Sequence, residues 1–153
     1  MVAQYLERLI EVGQPTDWDW ARLVTPRDGP TDVTEIWERF YNTFTLPPGL
    51  DAPGVENRLA FDAEWQPCGF FSDEARFRMV IDFHFRQDSL GVIIDWKTNR
   101  VLGSSLQEDY QLRTYAWGLR RALYPEVQEV LLRLHYLRYG REQEVLLAAD
   151  DLD

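Results

Sequence analysis

Lysine occurs once in this chain, at position 97, although Lys and Arg together number 16. Lys97 closes the apolar run GVIIDWK two residues after Asp95, so in an extended strand both side chains leave on the same face. An ammonium is a compact point charge that fits beside a metal-bound water, where the broad guanidinium fork does not. A second aspartate, Asp82, lies in the preceding run RFRMVIDFHFR. Alternation there predicts Phe77, Met79, Ile81, Phe83 and Phe85 on one face, with Arg76, Arg78, Val80, Asp82, His84 and Arg86 on the other. Gln87, Asp88 and Ser89 then form the connector of a hairpin. A turn centred between Asp88 and Ser89 pairs Phe83 with Ile94, Phe85 with Val92, Ile81 with Trp96, and therefore Asp82 with Asp95. Two carboxylates facing each other cost stability and call for a cation, and a hard divalent ion such as Mg²⁺ prefers oxygen ligands. A solvated polar face would not account for facing aspartates with the only lysine beside them. His84 is a candidate third ligand or phosphate contact and equally a satisfied surface histidine, while His135 has no partner visible in the sequence.

The elements that must position these residues can be read in outline. Val2, Tyr5, Leu6, Leu9 and Ile10 follow helical spacing up to Gly13, and Val33, Ile36, Trp37, Phe40, Tyr41 and Phe44 do so before Pro47 and Pro48. The intervening stretch is rich in turn residues but carries Trp18 and Trp20, which suggest that it is pinned down. A strand is expected over 58–65, from the alternation of Leu59, Phe61, Ala63 and Trp65 with polar neighbours. After the hairpin, a helix is expected from about Leu106 to Leu123, opened by Ser105 and Glu108 in capping-box spacing and closed before Pro125. EVLLRLHYLRY and EVLLA, around Gly140 and Arg141, read as a second hairpin. The fold class expected is α/β (α+β), a mixed sheet with helices against it. A single domain is expected over 1–153, with a helical part at 1–50 and a core at 55–148.

Composition bounds the function. No apolar run has the length to span a bilayer, so no membrane role is expected. One cysteine, Cys68, excludes an internal disulfide framework and a cysteine metal cluster, leaving oxygen and perhaps nitrogen ligands for any metal. The formal net charge of −10 argues against holding nucleic acid by bulk electrostatics, since that affinity comes from many Lys and Arg contacts. DDLD at the end reads as a frayed, solvated tail.

IIDWKT resembles the D-x-K variant of the PD-(D/E)XK nuclease signature, and Val80–Ile81–Asp82 is similar to the end of the G-x-x-D element in its RecB-like exonuclease branch. EDYQLRTYAW, with Gln111 and Tyr115 one helical turn apart, resembles that branch's Q-x-x-x-Y element. The resemblance covers about Val55 to Leu147. It implies a restriction-endonuclease-like core and metal-assisted hydrolysis of DNA phosphodiesters with Mg²⁺ or Mn²⁺. Asp82, Asp95 and the Trp96 carbonyl would hold the metal, with Lys97 steadying the attacking water or the charge on phosphate. Glu56 would complete the acidic set, with Glu64 its competitor. Gln111 and Tyr115 would orient the lysine or grip the backbone, although Tyr115 also reads as core. Arg113, Arg120 and Arg121 are phosphate candidates whose default is a solvated helix face.

The resemblance further implies DNA as partner, as single strands or duplex ends, with a helicase or other recombination protein as a further candidate, and a cytoplasmic setting in a bacterial or phage-infected cell. Met79 and Phe83 depart from the branch, which usually has Gly and Arg there, and Cys68 alone cannot supply the iron–sulfur cluster of some members. A degenerate member kept as a binding or interaction module suits the charge of −10, and a flap or junction endonuclease is a further alternative.

Overall fold

A computed structural model describes residues 2–12, 31–97 and 110–152. Chain order is α1 (Val2–Val12), α2 (Thr31–Thr43), β1 (Asp51–Phe61), β2 (Pro67–Cys68), β3 (Phe77–Gln87), β4 (Leu90–Lys97), α3 (Tyr110–Ala122), β5 (Glu129–Tyr136) and β6 (Arg141–Ala148). The strands form one six-stranded sheet in the order β2-β1-β3-β4-β5-β6. All neighbours are antiparallel except β4 and β5, which run parallel. Parallel neighbours need a long crossover, and the chain between Lys97 and Glu129 carries α3. The fold is therefore an α/β fold with a mixed sheet, as the order of hydrophobic periods indicated. Trp18, Trp20 and the Ser105/Glu108 capping pair lie outside the described residues.

Each helix forms for the reason its spacing gives and buries the resulting stripe. Val2, Tyr5, Leu6 and Leu9 of α1, with Ile36 and Phe40 of α2 and the following Phe44, cover one sheet face against Phe83, Phe85, Val92 and Ile94. Leu112, Ala116 and Leu119 of α3 cover the other, against Leu59, Phe61, Met79, Ile81 and Ile93. Side chains of this kind contribute about 1.5–3 kcal/mol each on full burial. Gly118 lets α3 approach closely, because a Cβ there would lie 2.6 Å from Met79 Sδ. β4 is buried on both faces, as a central strand must be when helices cover both sides of a sheet. Among the described residues, no helix is long and apolar enough to cross a membrane.

Several boundaries differ from expectation. The first strand runs over Asp51–Phe61, not 58–65, so Glu56 lies within it and not ahead of it. It ends where Asp62 Oδ1 accepts the N–H groups of Glu64 (2.9 Å) and Gln66 (2.8 Å), turning the chain before Trp65. The terminal residues are not frayed through 152, since Ala149–Asp151 form a 3₁₀ turn and Ala149 N–H donates to Gln128 O at 2.8 Å.

The single apolar face expected for β3 is also corrected. Met79 and Ile81 pack on the α3 side, but Phe83 and Phe85 pack on the α1/α2 side, so the alternation inverts at Asp82. β1 inverts with it, Leu59 lying on the α3 side and Val55 against the α1/α2 cluster. The ladder pairs Asn57 with Ile81 and Val55 with Phe83 but skips Glu56 and Asp82 between them. Glu56 sits at φ 47, in the left-handed region that an L side chain rarely occupies, and such a residue turns the strand over. The inversion accordingly falls at Asp82 and at Glu56, the acid that the resemblance adds.

Candidate active site

The hairpin register from Gln87/Leu90 to Phe83/Ile94 is the one that hydrophobicity indicated, but the expected Ile81/Trp96 and Asp82/Asp95 ladder pairs do not form, Ile81 packing on the α3 side and Trp96 on the α1/α2 side. β3 and β4 pair from Gln87/Leu90 through Arg86/Gly91, Phe85/Val92 and His84/Ile93 to Phe83/Ile94, across a turn in which Asp88 adopts φ 51. The ladder then opens. At the position where Asp82 would meet Asp95, the Asp82 carboxylate accepts the Trp96 N–H at 3.0 Å in place of a backbone bond. In an extended strand a residue's N–H and C=O leave on the same side, so the Trp96 carbonyl also faces β3.

The Asp82 and Asp95 carboxyl groups lie close enough to act on each other directly. Asp95 is buried at 6% exposure, and its Oδ2 lies 2.7 Å from Lys97 Nζ. Among the described residues, that buried oxygen has this ion-pair partner but no hydrogen-bond donor. Burial holds the Asp82 carboxyl above the usual carboxylate range; the Trp96 N–H opposes this, and the Asp95 charge adds to it. An acidic pair in this condition is eased by a cation.

From the α3 side, Gln111 Nε2 donates to the Tyr115 hydroxyl at 2.9 Å. Burial raises the Tyr115 pKa; the Asp95 and Asp82 charges raise it further, and the Gln111 hydrogen bond and Lys97 act against them. Gln111, Tyr115, Asp82, Asp95 and Lys97 thus share one electrostatic neighbourhood, and Tyr115 is half-buried beside the core as well as near the carboxylates. Glu56, exposed on β1, lines a cleft of about 220 Å³ together with Asp82, Trp96 and Trp37. Glu64 belongs instead to the turn after β1 and lines a separate depression with Trp65 and Trp117. The structure therefore favours Glu56 over Glu64 as the third acid near the pair.

Among the described residues, no three His, Cys, Asp or Glu side chains converge as a metal centre. Two carboxylates, those of Asp82 and Asp95, lie together. Mg²⁺ is commonly held by one or two carboxylates together with water and substrate oxygens, so Asp82, Asp95 and the Trp96 carbonyl fit that donor set.

His84 is neither a ligand nor a surface group. It is 2% exposed on the α3 side of the sheet, where Asn57 Nδ2 donates to its Nε2 at 2.8 Å and its Nδ1 lies 2.8 Å from the Tyr124 hydroxyl. That hydroxyl donates to Ala52 O at 2.5 Å, so it accepts from the ring and the proton sits on Nδ1. Burial lowers the His84 pKa to about 4, keeping the ring neutral. His135 does have a partner, Glu142 Oε1 at 2.9 Å.

Two arginines of α3 that could have been phosphate contacts also hold backbone carbonyls, Arg121 being exposed as a solvated face predicts and Arg120 half-buried. Arg120 donates to Val127 O (3.2 Å) and Ala149 O (3.3 Å), and Arg121 donates to Trp65 O (2.5 Å). Phe83, where the resembling branch often has Arg, is fully buried under α1 and α2. The sequence reading missed Phe70 and Tyr110, which line a groove with Gln111 and Tyr115, and Phe71, which stands edge-on to Phe70; an aromatic doublet after Gly69 was the available signal. No protein-family model and no curated protein matches the chain.

Proposed function

We propose that this protein is a metal-dependent deoxyribonuclease of the PD-(D/E)XK type, RecB-like, on a restriction-endonuclease-like core. The observation that carries the reading is the opening of the β3–β4 ladder at the neighbouring carboxylates of Asp82 and Asp95, with Lys97 Nζ 2.7 Å from the buried Asp95 oxygen. Asp82, Asp95 and the Trp96 carbonyl would hold Mg²⁺ or Mn²⁺, with Glu56 reaching it through water. When bound, the ion supplies Lewis-acid polarisation of a phosphoryl oxygen and an acidified water. Lys97 places its charge where negative charge builds on the phosphate, an electrostatic role that costs no reorganisation because Asp95 already orients the ammonium. Gln111, held by Tyr115, offers amide groups to a neighbouring backbone phosphate. DNA repair, recombination or phage DNA processing, with an exonucleolytic mode, is the setting that the resemblance suggests.

A second reading, a binding module on the same fold, is favoured by the net charge of −10 and by the internal use of Arg120 and Arg121. One assay separates the two. Single-stranded, duplex and branched DNA are incubated with the protein and Mg²⁺ or Mn²⁺, beside Asp95→Ala checked for native circular dichroism. The nuclease reading requires cutting by the wild type and its loss in the variant. An inert wild type, or an equally active variant, overturns it.

A further inference from the structure

Beyond Phe83 the β3 strand parts from β4, so, among the described residues, 77–81 pair only with β1, and this edge borders the groove beside the start of α3. Between that edge and α3 lies a groove of about 440 Å³, with Met79 and Tyr115 at its base and Phe70, Arg78, Tyr110 and Gln111 along its walls. It lies next to the carboxylates, because Tyr115, which feels the Asp95 and Asp82 charges, lines it and Val80 is two residues from Asp82 on the same strand. Its rim is aromatic and unusually open. Tyr110 is 83% exposed and Phe71 is 81% exposed, Phe71 standing edge-on to Phe70 with centroids 5.1 Å apart. Two arginines stand against these rings: the Arg58 guanidinium lies 5.6 Å from the Phe70 centroid and 5.8 Å from the Phe71 centroid, and Arg78 lies 6.0 Å from Phe70. In a chain of net charge −10, a local cluster of two arginines among exposed rings complements a polyanion that carries flat apolar faces.

We infer that this groove binds single-stranded DNA, with bases stacked on Tyr110 and on Phe71 and backbone phosphates drawn by Arg58 and Arg78 toward Lys97. The inference rests on the nuclease reading for its choice of DNA and goes beyond it by setting the form of the substrate. Aromatic platforms take bases of any sequence through their π faces, which a duplex keeps hidden in its stack. A volume of about 440 Å³ is of small-ligand size, which suits a nucleotide unit entering edge to edge with the open strand.

The test measures anisotropy of a labelled oligothymidylate and of a blunt duplex of equal length, in Ca²⁺ to hold the ion site without turnover. The single strand should bind more tightly than the duplex. Tyr110→Ala and Phe71→Ala should each weaken single-strand binding by about 5-fold to 150-fold, the range of one lost base stack, and leave duplex binding unchanged. Tyr110→Phe keeps the ring and should bind like the wild type. Both residues are exposed, so neither substitution opens the core. Duplex bound as tightly as the single strand, alanine variants that bind like the wild type, or no oligonucleotide binding at all would overturn the inference, the last pointing to an apolar protein partner. Cutting of DNA that depends on Asp95 but ignores both rings would leave the nuclease reading standing and this inference refuted. Ring-dependent single-strand binding without any cutting would do the reverse.

Discussion

Replacing Asp82 by asparagine isolates the charge at the centre of the site, because Asn keeps an oxygen for the Trp96 N–H and an amide that can donate to Asp95. Two like unit charges at about 4 Å repel by about 1 kcal/mol in water and about 4 kcal/mol at an effective dielectric of 20. Asp82 is half-buried, so a repulsion of about 2 kcal/mol is reasonable, and losing its attraction to Lys97 reduces the net gain to about 1 kcal/mol. For a domain of this size that is a rise in Tm of about 2–4 °C without metal at neutral pH. The gain has a defined pH dependence. Since folding raises the Asp82 pKa above 3.8, the native state holds a proton that the unfolded chain has released, and wild-type stability falls as pH rises through that interval. The advantage of Asp82→Asn should therefore be absent near pH 3.5 and complete at neutral pH. Metal reverses the order. An ion at about 100 times its Kd stabilises the wild type by about 2.7 kcal/mol, and the variant should lose most of this. Thermal melts at several pH values, with Mn²⁺ or with chelator, read both effects. A variant no more stable than the wild type without metal, or one that Mn²⁺ stabilises equally, would refute the reasoning.

Lys97→Arg should fold, since the ion pair to Asp95 survives, but lose most DNA cleavage because the planar guanidinium cannot occupy the ammonium's position; near-wild-type cutting would remove Lys97 from the proposed role. Acidification from pH 6.5 toward 4 should cost about 3 kcal/mol through His84, whose lowered pKa lets the unfolded chain bind the proton first, and His84→Gln should flatten that part of a denaturant-midpoint series. Gly54→Ala would put a methyl group 2.2 Å from His84 Nε2, so it should destabilise by about 1–3 kcal/mol in the same denaturant assay while the metal response at Asp82 is kept.

Hydrophobic spacing by itself determined α1, α2, the Gln87–Leu90 turn and the Phe83/Ile94 register, because helix and strand periods are local and a strand slipped by one residue would move its whole apolar set to the wrong face. Residue type and spacing also marked out Asp82, Asp95 and Lys97, and the resemblance added Gln111 and Tyr115; the fold brings all five into one neighbourhood. Three things required the tertiary structure. The face inversion at Glu56 and Asp82 was illegible because odd-numbered residues are apolar on both sides of it, so the pattern reads as one uninterrupted face although two different layers of helices cover it. The role of His84 depended on Asn57, Tyr124 and the bare Cα of Gly54, partners from other elements whose positions no local rule gives. The aromatic groove exists only because β3 and β4 part company beside α3, a consequence of how three elements pack that leaves no trace in the spacing of any one of them.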